Sequence, residues 1–209
     1  MYTTAGALAV GVLAVGALTG CGDAGGEEPL GMPTVTTTPT PEPTPTPTPT
    51  RTSIVGVVLD MSDPELGIVF DEPPALSGDE ADVYNWVATY EQEYWRTLLD
   101  NEASYAFEVF TSADLQTRME EIAATNTADQ SEFGGVYHVR ISDITVDGNT
   151  ATATTCDDYT EVTIVEPDGP LTLEELDLAT PHLEKVTLIR DLRGEGVWII
   201  NLVERTGEC

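Results

Sequence analysis

Basic residues are scarce in this chain: eight Lys and Arg stand against 37 Asp and Glu, for a formal net charge of -29. The eight never form a cluster, so no counterion release can drive phosphate binding and no polybasic patch can hold an anionic lipid surface. Nucleic acid is excluded as a partner. Histidine is scarcer still, with two in 209 residues, which argues against His-based metal centres. A serine-nucleophile elbow, a phosphate loop and a dinucleotide fingerprint are all missing, and neither a metal nor a cofactor is expected. Acidic side chains do gather at Asp60, Asp63 and Glu65, at Asp71 and Glu72, and at Asp157 and Asp158, but without the spacing of a calcium loop. A solvated acidic face accounts for them, and it keeps a protein soluble while repelling its neighbours.

Cysteine is limited to Cys21, Cys156 and Cys209. Residues 5–18 are all Ala, Gly, Val or Leu, the length of a signal-peptide apolar region and too short to cross a bilayer of about 30 Å as a helix. The run ends in Leu18, Thr19, Gly20 and Cys21, which matches the site that the bacterial lipoprotein pathway cleaves and acylates. The competing reading is an ordinary secretory leader followed by a chance cysteine. Residues 1–4 contain no Lys or Arg, unlike a usual leader, which predicts a start codon upstream of Met1. Acylation of Cys21 leaves Cys156 and Cys209 as the pair expected to form a disulfide in an oxidising compartment. The alternative, two free thiols with a redox or metal role, lacks a neighbouring Cys or His at ligand spacing.

Four segments follow: a leader over 1–20, a stalk over 21–53, an extended arm over 54–76 whose short apolar stretches at 54–59 and 67–70 read either as edge strands or as an arm lying against the domain, and a folded domain over 77–209. The stalk is nearly pure Thr and Pro between Thr34 and Thr50, with proline at every second position from Pro39 to Pro49. Such a segment extends at about 3.1 Å per residue and acts as a semi-rigid spacer. Its threonines are also spaced as in O-glycosylated stalks.

In the domain, Ser77 and Glu80 have capping-box spacing, and Val83, Val87, Tyr90, Tyr94 and Leu98 form one helical stripe widened by Trp86, Trp95 and Leu99. Two shorter helices are predicted over 104–110 and 113–124, and Gly134 and Gly135 are expected to end the helical half. Strand periodicity then covers 136–146 and 150–165 around an Asp147-Gly148-Asn149 turn, then 185–192 and 197–205 around a turn at 193–196. The predicted class is α+β, three N-terminal helices packed on a curved four-stranded antiparallel sheet.

This layout resembles the NTF2-like, cystatin-like superfamily, in particular secreted actinobacterial lipoproteins that carry such a domain behind a Thr/Pro linker. The resemblance covers 77–209 and rests on the aromatic helix from Tyr84 to Trp95, the hairpin around Asp147, Gly148 and Asn149, the Cys156-Asp157 step, and the Trp198 strand leading to Cys209. It implies a conical pocket between sheet and helices. Members include isomerases and dehydratases as well as proteins without known chemistry, so fold alone does not fix function.

A ketosteroid-isomerase-like or polyketide-cyclase-like enzyme needs a carboxylate or His base in the pocket and a donor for a developing enolate oxygen. Asp157, His138 and Tyr90, with Tyr159 and Asp143, are the candidates. The simpler reading places His138 on an exposed strand face with Val136 and Arg140, and has Asp157 and Asp158 solvate a strand edge or pair with Arg140 or Arg190. Trp86, Tyr90, Tyr94 and Trp198 are candidates to line a ligand pocket, although aromatics at helical spacing usually form core. The reading preferred from sequence is an exported, lipid-anchored protein that presents a non-enzymatic interaction domain on a stalk. Its partner would be a cell-envelope component or another exported protein. The alternatives are capture of a small apolar ligand, and an isomerase or dehydratase. Oligomeric state stays open.

Overall fold

The computed structural model describes residues 56–191 and 197–209, so Cys21, the Thr/Pro stalk and the turn expected at 193–196 lie outside the described residues. The secondary structure runs β1 (Ile68–Phe70), α1 (Asp79–Asp100), α2 (Phe107–Phe110), α3 (Ala113–Asp129), β2 (Glu132–Asp147), β3 (Thr150–Glu166), β4 (Gly169–Pro170), β5 (His182–Arg190) and β6 (Trp198–Glu208).

The sheet corrects the expected class. It has six strands and is mixed, in the order β1-β2-β3-β5-β6 with β4 added on β3. The strands β2, β3, β5 and β6 pair antiparallel, whereas β1 runs parallel to β2 through Ile68 opposite Tyr137 and Phe70 opposite Val139. Three residues are too few to show a strand period, and a parallel partner brought in from before the first helix leaves no hairpin signal. The four-stranded antiparallel cone is therefore not the architecture of this chain.

Side chains of α1 hold the segment before it in place. Asn85 donates to the Val57 carbonyl at 2.8 Å and accepts from the Leu59 amide at 2.8 Å, and the Trp95 indole donates to the Leu66 carbonyl at 2.8 Å. Two glycines let this segment reach the sheet. Gly67 (φ 79°) brings its carbonyl to the Tyr137 amide at 2.9 Å, and a Cβ on it would lie 2.5 Å from the Gly135 carbonyl oxygen. Gly135 (φ 86°) would itself place a Cβ 2.2 Å from the Glu161 carbonyl oxygen. The Gly134-Gly135 pair thus sits inside β2, beside a register shift between Val136 and His138, and does not end the helical half.

The long helix α1 carries Asp79, Glu80 and Asp82 in its first turn, where the helix dipole favours negative charge. Its N-cap is Gly78 without a side-chain bond, so Ser77 does not form the expected capping box and instead bridges to Val57. At the start of α3, by contrast, the Ser112 hydroxyl accepts from the Leu115 amide. The same residue protects the sheet edge: the Ser112 amide and hydroxyl donate to the Ile200 and Asn201 carbonyls, and Arg118 reaches the Val203 carbonyl. Main-chain acceptors on the outer side of β6 are thereby taken by the helices rather than left for another strand.

The core lies between α1 and the sheet, where Val83, Val87, Trp95 and Leu98 meet Tyr137, Val139, Ala153, Val186 and Leu188. A disulfide joins Cys156 in β3 to Cys209, with Cα atoms 6.0 Å apart. The Cys209 amide donates to the Pro181 carbonyl at 3.1 Å, which turns the chain after β6 back across the start of β5. With the cysteines 53 positions apart in sequence, the crosslink removes substantial freedom from the unfolded chain. Cys209→Ser is expected to lower unfolding stability by about 2–4 kcal/mol in urea melts, and an unchanged midpoint would show that the bond contributes nothing.

Candidate functional site

Helix α1 buries four polar side chains beside its apolar ones, Asp82, Asn85, Glu91 and Thr97. Glu91 stands four residues after Val87 and four before Trp95, in the middle of the stripe that faces the sheet, and it is 1 % exposed. Across from it, β3 alternates Ala151, Ala153, Thr155, Asp157 and Tyr159 toward the helix, and Asp157 is 2 % exposed. Two carboxyl groups from different elements are thus enclosed in one interior, where a charged carboxylate without a counterion would be very costly.

Hydroxyl groups surround them. The Tyr137 hydroxyl donates to Glu91 Oε2 at 3.0 Å, and the ring of Tyr137 stacks on Tyr159 with centroids 4.8 Å apart. The Tyr159 hydroxyl lies 3.5 Å from that of Tyr94. Glu91 Oε1, Asp157 Oδ1 and Thr155 Oγ1 are buried without a protein hydrogen-bond partner. Between these groups, Tyr90, Arg118 and Glu184 close a cavity of about 30 Å³. That is room for roughly two water molecules, which is what orphaned buried oxygens require.

Burial pushes the Glu91 carboxyl well above the usual carboxylate range, and the negative charges of Asp157 and Glu184 push it further, against the lowering effect of the Tyr137 hydroxyl. Asp157 moves the same way, first from burial and then from Glu184, with Thr155 and Tyr137 opposing. Glu184 is raised by desolvation and restrained chiefly by Arg118. Tyr94 is pushed up to about 12 by burial. Burial thus favours the protonated form of Glu91 and Asp157, which can donate as well as accept hydrogen bonds.

Of the residues singled out from sequence, Asp157, Tyr90, Tyr94 and Tyr159 meet at this cavity. Asp157 is not solvated at a strand edge and is not paired with Arg140 or Arg190. Arg190 is taken by Asp79 at 2.6 Å, with its guanidinium 4.3 Å from the Trp198 ring centroid. Trp198 is therefore a core residue remote from the cavity lining, and Trp86 packs on Phe110. His138 lies on the opposite face of the sheet, half-buried between Asp71 at 3.5 Å and Glu161 at 3.8 Å, and Asp143 is exposed beside Ser142. Glu91, Tyr137, Thr155, Glu184 and Arg118 were not singled out from sequence. The available signal was the acid at position 91 interrupting an apolar stripe, together with the matching parity of Thr155, Asp157 and Tyr159.

Among the described residues, no group of three or more His, Cys, Asp or Glu is arranged to hold a metal ion, and no helix is long and apolar enough to cross a membrane. No protein-family model matches the chain, and no curated protein matches it in sequence.

In the unfolded chain both acids titrate near pH 4. Because the folded values are raised, the folded state binds more protons. The stabilisation from these groups is full below about pH 4 and is lost as pH rises through the folded values. Urea midpoints are expected to fall from about pH 4 toward neutrality, and to fall less steeply in Glu91→Gln. The parallel effect of the acidic surface is common to both proteins and cancels in the comparison. Equal slopes would mean that Glu91 is already ionised in the fold.

Proposed function

We propose that the protein is an exported, lipid-anchored interaction module rather than an enzyme or a carrier of apolar ligands. The observation that carries this reading is the occupied interior. Where the family resemblance expects an open pocket, Tyr90, Tyr94, Tyr137 and Tyr159 fill the space over the sheet and leave about 30 Å³. Ligand pockets that enclose drug-sized molecules measure about 300–1,000 Å³. An apolar ligand would also have to displace contacts around two polar carboxyl groups. Attachment at Cys21 and elevation on the Thr/Pro segment supply the setting in which such a module meets its partners.

A second reading is favoured by one specific observation. Glu91 and Asp157 are two desolvated carboxyl groups beside several tyrosine hydroxyls, a set suited to moving a proton to and from a carbonyl compound. The interior volume opposes it, because a substrate could reach these groups only if α1 or α3 moved away from the sheet.

Native mass spectrometry of the protein extracted from its host's membranes tests the proposal. The expected species begins at a diacylglyceryl-modified Cys21, weighs two hydrogens less than its reduced form and retains no small molecule. A stoichiometric small-molecule adduct would favour ligand capture or catalysis, and an unacylated N-terminus would remove the anchor.

A further inference from the structure

The helical side of the domain carries a groove of about 600 Å³ between the α1–α2 connection and α3. Ala103, Phe107, Ala123 and Ala124 give it apolar walls, and Glu102, Glu108 and Glu120 line it as well. No Lys, Arg or His lines it. The one arginine of α3, Arg118, is directed the other way, to the Val203 carbonyl and the buried acids. Tyr105 stands at the groove 74 % exposed, an aromatic ring that the fold itself does not cover.

Beyond Tyr105 the short helix α2 forms a ridge. Val109 is 61 % exposed on it and, with Ile189 and Ile199, lines a neighbouring groove of about 510 Å³ that shares Glu108 with the first. Phe107 and Phe110 anchor the ridge in the core, so its geometry is set before any partner arrives. Exposed aromatic and branched residues grouped beside concave surfaces mark protein interaction sites, whereas isolated ones do not. The sign of the surrounding charge selects the occupant. Nucleic acid, an anionic membrane and a second copy of this acidic chain would all be repelled, while Lys and Arg side chains would be drawn in.

We propose that this face binds a basic, amphipathic segment of a partner protein. Lys or Arg side chains would answer Glu102, Glu108 and Glu120, and one apolar or aromatic side chain would pack against Tyr105 and Val109, the ring of Tyr105 also being open to cation–π contact. This assignment rests on the interaction-module reading and gives that module its binding face.

The test is an amide-shift titration of the isotope-labelled full chain with a short amphipathic Lys/Phe peptide and, separately, with a Glu/Phe peptide of the same length, at physiological salt. The Lys/Phe peptide alone is expected to shift the amides of Ala103, Tyr105, Glu108 and Ala124. Glu108→Lys and Tyr105→Ala are each expected to weaken it by about tenfold, while Glu161→Lys, which changes net charge equally from a site on β3, weakens it by less than about twofold. Equal weakening by both charge reversals would reduce the effect to general attraction and overturn the proposal, as would binding of neither peptide. Shifts confined to another face would overturn the groove assignment but leave the module reading standing. That reading fails separately, on a small molecule retained in the interior.

Discussion

The enclosure of Glu91 and Asp157 between α1 and the sheet is the constraint on which the rest of the structure turns. Two ionised carboxylates in one dry interior would repel each other and forfeit most of their hydration, a cost far beyond the net stability of an ordinary domain. The fold meets this by favouring the protonated form of both acids, by setting the Tyr137 hydroxyl against Glu91, and by leaving a cavity sized for water beside the orphaned oxygens. The four tyrosines around the acids are large, and once seated they exhaust the space that the family resemblance would keep for a ligand. Filling and neutralisation are thus one arrangement seen from two sides.

Several distant features serve to hold that arrangement. Trp95 and Asn85 draw the segment before α1 against the helix, and the Gly67–Gly135 contact lets its strand join β2 next to Tyr137. The disulfide ties β3, which carries Asp157, to the chain just beyond β6. Ser112 and Arg118 fasten α3 to the β6 edge, and Arg118 also supplies the positive charge that faces Glu184.

How far the sequence could be read depended on length and parity. The helical stripe through Val83, Val87, Tyr90 and Tyr94 is long enough for its period to stand out, and so are the four long antiparallel strands. The stretch at 67–70 was legible as an edge strand or an extended arm but too short to choose between them, the two-residue strand at Gly169–Pro170 is shorter than one repeat of any pattern, and pairing from before the first helix depends on tertiary contacts. That is why a six-stranded mixed sheet read as a four-stranded antiparallel one. Asp157 was legible as a candidate, yet its neighbour Cys156 suggested a solvated edge; strand parity with Ala153 and Thr155 decides the other way. Glu91 was hidden by its own helix, because one acid inside an aromatic stripe looks like an error in the period rather than a core residue. His138 and Asp143 were chosen for residue type alone, and the sheet turns them away from the acids.

For function, a filled interior shifts attention to the surface, where the proposed anchor and stalk would display an acidic domain with an exposed Tyr105 and Val109. The central claim concerns the protonation of the buried acids, and the most direct measurement is a carbon-13 titration of the Glu91 and Asp157 carboxyl carbons in the folded protein. Both are predicted to keep the shift of a protonated acid above about pH 5.5, where exposed carboxyls have finished titrating. Inflections at about pH 4 for these two carbons would contradict the account, showing a hydrated, open interior able to admit a ligand.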